Sequence, residues 1–117
     1  NMCRLPRTRH RIEVLRHDSY RWLLQAPARW FTGRGLVLID PPFDSVNSYT
    51  TWNVFMLRHL RDRWPMSCIA LWYPIADEAE VISLHRRVRE LQLGDVLVAE
   101  LSTRRVRETA LFGSGVL

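Results

Sequence analysis

The sequence contains no lysine: all 17 basic side chains are arginine. That pattern is first the mark of a GC-rich coding bias and only second a selection for forked contacts to phosphate, which arginine makes and lysine does not. Cysteine is nearly as scarce. Cys3 and Cys68 stand far apart, which argues against a disulfide framework and a paired-cysteine metal site and favours a reducing compartment. Long apolar runs are missing too. The longest, 36–39 and 68–72, fall far below the roughly 20 residues that cross a bilayer, and no basic-then-apolar leader opens the sequence. The reading is therefore a soluble, cytoplasmic protein with no membrane partner. His10, His17, His59 and His85 lack any metal-ligand spacing, so no metal is expected, and no Ser or Cys sits in a nucleophile setting. Gly33-Arg34-Gly35 precedes a strand pattern and Gly113-Ser114-Gly115 runs into apolar residues, so neither is a phosphate loop.

What is present fits one small domain: 117 residues, 47% of them hydrophobic. The charge is uneven. Residues 1–34 hold eight arginines against Glu13 and Asp18, a net of +6, whereas 35–117 hold nine against ten acids, a net of −1. A basic end of this kind favours a polyanionic partner, although a solvated arginine-rich edge would carry the same residues.

Along the chain, 11–16 has strand composition, and 19–25, with Tyr20, Leu23 and Leu24, predicts a short amphipathic helix ending before Pro27. Leu36-Val37-Leu38-Ile39 shows no alternation, the pattern of a parallel strand covered on both faces. After Pro41-Pro42, Ser45 can cap a helix with Tyr49, Trp52, Met56 and Leu60 on its apolar face. A second buried strand covers 68–73. Asp77 with Glu80 resembles a capping box for a helix carrying Val81, Leu84, Val88 and Leu91, which Gly94 stops. Two more strand candidates, 96–101 and 110–117, flank the polar stretch 102–109. Strands alternating with helices predict an α/β sheet with a terminal hairpin.

Asp40-Pro41-Pro42-Phe43 stands directly at the carboxyl end of the first buried strand, where open α/β sheets place their ligand sites. The lone pair of an adenine exocyclic amine is delocalised into the ring. Methylating it therefore calls for acceptors that draw on both amine protons. Asp40 can be one acceptor and the proton sink; the stiff Pro-Pro turn can present a carbonyl, that of Pro41, as the other. Phe43 offers a face on which a flipped or unpaired base can stack. The same four residues also make good turn chemistry. Asp18, followed by Ser19, can accept a hydrogen bond from a cofactor amine or simply cap the short helix. Trp72 and Tyr73, near a strand end, read as core ahead of pocket lining.

The sequence resembles the 23S ribosomal RNA adenine-N6 methyltransferases of the RlmJ type. The resemblance rests on Gly35-Leu36-Val37-Leu38-Ile39-Asp40-Pro41-Pro42-Phe43, on Ala70-Leu71-Trp72-Tyr73-Pro74-Ile75 and on Gly113-Ser114-Gly115-Val116-Leu117, in the family's order. It implies a Rossmann-like S-adenosyl-L-methionine-dependent methyltransferase fold, with Asp40, Pro41, Pro42 and Phe43 as the catalytic loop. Asp18 and Ser19 would lie at the cofactor's adenine, Ser19 standing where the family usually has Gly. The family's upstream glycine-rich turn and ribose-binding acid have no counterpart in residues 1–117. Those residues are therefore expected to form the C-terminal part of a single methyltransferase domain whose first two strands are absent. In that topology the absent strands lie between the strand at 12–16 and the strand at 36–39, so 12–16 should lack a ladder partner while 36–39 and 68–72 pair in parallel.

The resulting expectation is methyl transfer from S-adenosyl-L-methionine to adenine N6 in large-subunit ribosomal RNA, by a monomer. A catalytically inactive methyltransferase-like protein that binds RNA or assists ribosome assembly is the alternative. A DNA adenine methyltransferase ranks third, because 44–67 leaves no room for a base-reading domain between the loop and the next strand.

Overall fold

The computed structural model describes residues 13–41, 46–102 and 113–117, with the backbone alone for 46–49. Helix α1 (Ser19–Gln25) is followed by a single 3-10 turn, and then come β1 (Gly35–Ile39), α2 (Val46–Arg63), β2 (Ser67–Ile75), α3 (Glu78–Glu90), β3 (Ala99–Ser102) and β4 (Gly113–Val116). The sheet order is β1-β2-β4-β3. β1 and β2 are parallel, with Ile39 beside Leu71, as expected for strands joined through a helix. β4 runs antiparallel to both of its neighbours, so the terminal hairpin is inserted with its second strand against β2. This is a mixed α/β sheet.

Alternation along the strands sorts the side chains. Val37 and Ile39 share a face with Ile69, Leu71, Tyr73 and Ile75, and onto it pack Met56, Leu57 and Leu60 of α2 and Leu84 and Val88 of α3. Asp77 caps α3 by accepting from the Ala79 N–H at 2.8 Å, as its sequence pattern predicts. The helix ends at Glu90, and Gln92, with φ 50°, takes the left-handed position before Gly94 is reached.

Three expectations change. Residues 13–16 form no strand, while β1 has β2 as its ladder partner and leaves its other edge unpaired among the described residues. The opposite sheet face is open: Leu36 and Leu38 are 68% and 66% exposed, so β1 is covered on one face and not on both. On α2, Asn53 and not Trp52 lies in the core stripe with Met56 and Leu60; Asn53 is wholly buried and Trp52 half exposed. The Tyr20 hydroxyl of α1 donates to its Oδ1, which offsets part of the cost of burying the amide, while its Nδ2 is buried with no hydrogen-bond partner among the described residues. Ser45, the expected cap of α2, lies outside the described residues.

Gly33-Arg34-Gly35 also receives an explanation. The Trp64 indole donates to the Gly33 carbonyl at 2.7 Å and lies so close over Gly35 that a Cβ there would stand 2.0 Å from the ring. Close aromatic packing, and not a phosphate, requires this glycine.

Candidate active site

The carboxyl end of β1 delivers Asp40 to the surface and buries Pro41 immediately after it. β2 runs on past its last pairing with β1, at Leu71, as far as Ile75, so its final residues stand alongside the chain leaving β1. α2 begins at Val46. Asp40 and Pro41 thus lie just past the carboxyl end of a parallel strand, the end at which open α/β sheets place their ligand sites. Pro42 and Phe43 lie outside the described residues.

Asp18 is the N-cap of α1: its Oδ1 accepts from the Arg21 N–H at 3.0 Å, and its Oδ2 lies 3.9 Å from the Arg21 guanidinium. Ser19 opens the helix and is exposed. An ionised carboxylate has about four acceptor sites, so the cap leaves Asp18 capacity to receive an amine proton from solvent-side ligand. In that limited sense the residue fits the adenine of the implied cofactor. No hydrogen bond or ion pair joins Asp18 to Asp40 among the described residues, whereas α1 is tied to α2 at both of its ends. Tyr20 fastens the start of α1 to Asn53. Arg63 fastens its end, donating to the carbonyls of Leu23, Leu24 and Ala26 at 3.2, 3.1 and 2.6 Å while its guanidinium lies 4.4 Å from the Phe31 ring centroid. These are the carbonyls a helix end leaves unsatisfied. The Tyr20 hydroxyl is held above the usual tyrosine range, first by burial and second by the negative charge of Asp18.

A second polar group escaped the sequence reading. Tyr73, 1% exposed, donates to Glu100 of β3 at 2.7 Å, and His85 Nε2 of α3 lies 2.8 Å from the same hydroxyl. The tyrosine can span from β2 to β3 because Gly115 of β4 lies between them: a Cβ there would come within 2.3 Å of the ring. The available signal was a tyrosine in a buried strand, whose hydroxyl requires a partner, but nothing in the sequence named that partner. Trp72 is half-buried. Among the described residues no group of His, Cys, Asp or Glu could hold a metal ion, and no helix is long and apolar enough to cross a membrane.

Comparison with known proteins follows the same lines. Among curated proteins nothing matches. The crystal structure of a protein from Legionella pneumophila str. Philadelphia 1, of the DUF519 family, is similar with a TM-score of 0.66 and 21% identity, over 86% of this chain and 36% of that one. At that identity the likeness concerns the fold, and the chain spans little more than a third of the solved protein's length. The sequence profile described as ribosomal RNA large subunit methyltransferase D, RlmJ, matches residues 5–117, and the chain belongs to that family.

Proposed function

We propose that these residues form the C-terminal part of a single Rossmann-like methyltransferase domain that methylates the N6 amine of an adenine in large-subunit ribosomal RNA. The observation that carries the reading is the exposed carboxylate of Asp40 at the carboxyl end of a parallel strand, followed at once by buried Pro41. A surface carboxylate on an anchored turn can take a proton from a nucleotide presented from solvent without the turn having to rearrange. Asp40 accepts one amine N–H and the Pro41 carbonyl the other, which localises the nitrogen lone pair for attack. When the new N–C bond forms, the nitrogen carries an extra positive charge and releases one proton to Asp40. Phe43 supports the base by stacking.

S-adenosyl-L-methionine, when bound, supplies the methyl group, and Asp18 with Ser19 holds its adenine. The edge of β1 that has no partner among the described residues, and the exposed Leu36 and Leu38, support a larger sheet in the whole protein, with further strands beside β1 and a layer over the open face. The activity is expected of the full-length, monomeric protein in the cytoplasm. The test is transfer of labelled methyl groups by the full-length protein to unmodified ribosomal RNA and to duplex DNA. Incorporation into RNA, recovered as N6-methyladenosine, supports the reading; labelling of DNA alone, or of no nucleic acid, refutes it.

A further inference from the structure

One flank of α2 carries Trp52, Phe55 and His59, spaced three and four residues apart, so the three rings form a ridge along the helix. Trp52 and Phe55 are 51% and 49% exposed. Their rings meet edge-on with centroids 5.9 Å apart, and His59 lies 6.1 Å from Phe55 at an interplanar angle of 18°. Tyr20 approaches Trp52 from α1, at 6.4 Å. The fold does not need this ridge for its core, since α2 already buries Asn53, Met56, Leu57 and Leu60 on its other side. Exposed aromatic clusters of this kind mark interaction surfaces.

Two guanidinium groups border the ridge. Arg87 of α3 donates to the Thr51 hydroxyl at 3.0 Å, next to Trp52, and Arg58, three residues after Phe55, is held by Asp62 at 3.1 Å and by the Leu91 carbonyl at 3.2 Å. Their placement is fixed. A wholly apolar partner would seal these charged groups against its own surface, whereas a nucleic-acid strand offers a π face for the exposed rings and a phosphate for Arg87, which is held by a neutral hydroxyl and not by a carboxylate.

We infer that the exposed Trp52 and Phe55 rings, with half-buried His59 backing Phe55, are a stacking surface for the unpaired RNA bases that flank the target nucleotide. This rests on the RNA-methyltransferase reading and deepens it by specifying the substrate as single-stranded around the target. The position along the helix is suitable: in sequence α2 starts just beyond Phe43, and at 1.5 Å rise per residue Trp52 stands about 9 Å and Phe55 about 14 Å beyond the helix start, a reach of a few nucleotides. Splaying a base out of its strand leaves its neighbours unstacked, and aromatic rings accept any base.

The test uses the full-length protein, a single-stranded RNA oligonucleotide of mixed sequence, the matching duplex, and the variants Trp52→Phe, Trp52→Ala and Trp52→Ala/Phe55→Ala. Without RNA, acrylamide should quench a tryptophan component that Trp52→Phe lacks, and single-stranded RNA should protect that component. Affinity for the single strand should fall about tenfold or more in the double variant and stay within about threefold in Trp52→Phe, since phenylalanine also stacks. Duplex affinity should change in neither. Unchanged single-strand affinity in the double variant overturns the inference, and so does a Trp52 already shielded from acrylamide before RNA is added, because another part of the polypeptide then covers the ridge. Methyl transfer is scored separately. A protein that methylates RNA but binds it equally well in every variant loses the ridge alone; one that stacks RNA on the ridge but transfers no methyl group loses the methyltransferase reading alone.

Discussion

Replacing Gly115 by alanine should be among the most damaging single-methyl additions in the described structure. The new Cβ would stand 2.3 Å from Tyr73 Cζ, 2.5 Å from its hydroxyl oxygen and 2.7 Å from Cε2, all far inside contact distance. A flexible side chain could swing aside at little cost. Tyr73 cannot: it is 1% exposed, and its hydroxyl is held by Glu100 at 2.7 Å and His85 at 2.8 Å. Displacing the ring adds an overpacking cost of about 1–3 kcal/mol and, by separating the hydroxyl from its partners, a further cost of about 1–3 kcal/mol. Gly115→Ala should therefore destabilise the full-length protein by about 2–6 kcal/mol in urea unfolding. The mechanism is checked by a double-mutant cycle with Tyr73→Leu. Leucine removes the ring that clashes, so the alanine should cost much less in that background, with a coupling of at least about 1 kcal/mol. A Gly115→Ala change below about 0.5 kcal/mol, or strict additivity with Tyr73→Leu, would refute the reasoning.

Arg63→Ala should cost about 2–3 kcal/mol, through lost bonds to the Leu23 and Leu24 carbonyls of α1 and that of its cap Ala26, and Arg63→Lys should recover only part of it, because an ammonium cannot fork across them; hydrogen exchange of α1 amides reports both. The Tyr20 hydroxyl is held above its ordinary value of about 10, so the unfolded chain loses its proton first. The Tyr20 contribution to stability should be level with pH below about 10 and be lost as pH rises beyond it, and Tyr20→Phe should flatten that fall; equal slopes would exclude Tyr20 as its source. Neutralising Arg7, Arg9 and Arg11 should shallow the dependence of log RNA affinity on log salt by about two to three units, and an unchanged slope would return them to a solvated edge.

How legible the molecule is from sequence varies with the physics of each element. α1, β1, β2 and α3 follow from period and caps, because Asp18, Asp77 and the aliphatic runs act locally. The face of α2 does not. Trp52 and Asn53 are adjacent, and the residue that bonds the buried amide oxygen, Tyr20, lies 33 residues away, so nothing local to α2 says that the amide goes inside and the indole stays out. The run 36–39 has the composition of a strand buried on both faces, but the elements described here cover one of them. Strand composition at 13–16 did not suffice, because a strand forms only against a partner edge and none is described beside it. The position of Asp40 just past the end of β1 was legible. The Tyr73–His85–Glu100 group was not, since it is assembled by three elements across a glycine in a fourth.

The central claim is that Asp40 draws a proton from the target amine. Its most direct test is single-turnover methyl transfer by full-length wild type and Asp40→Asn on unmodified ribosomal RNA, with cofactor affinity measured in parallel by calorimetry. The asparagine keeps the shape but cannot take the proton, so turnover should fall by about 10²–10⁴-fold with little change in cofactor affinity. Near-normal turnover in Asp40→Asn would contradict the account.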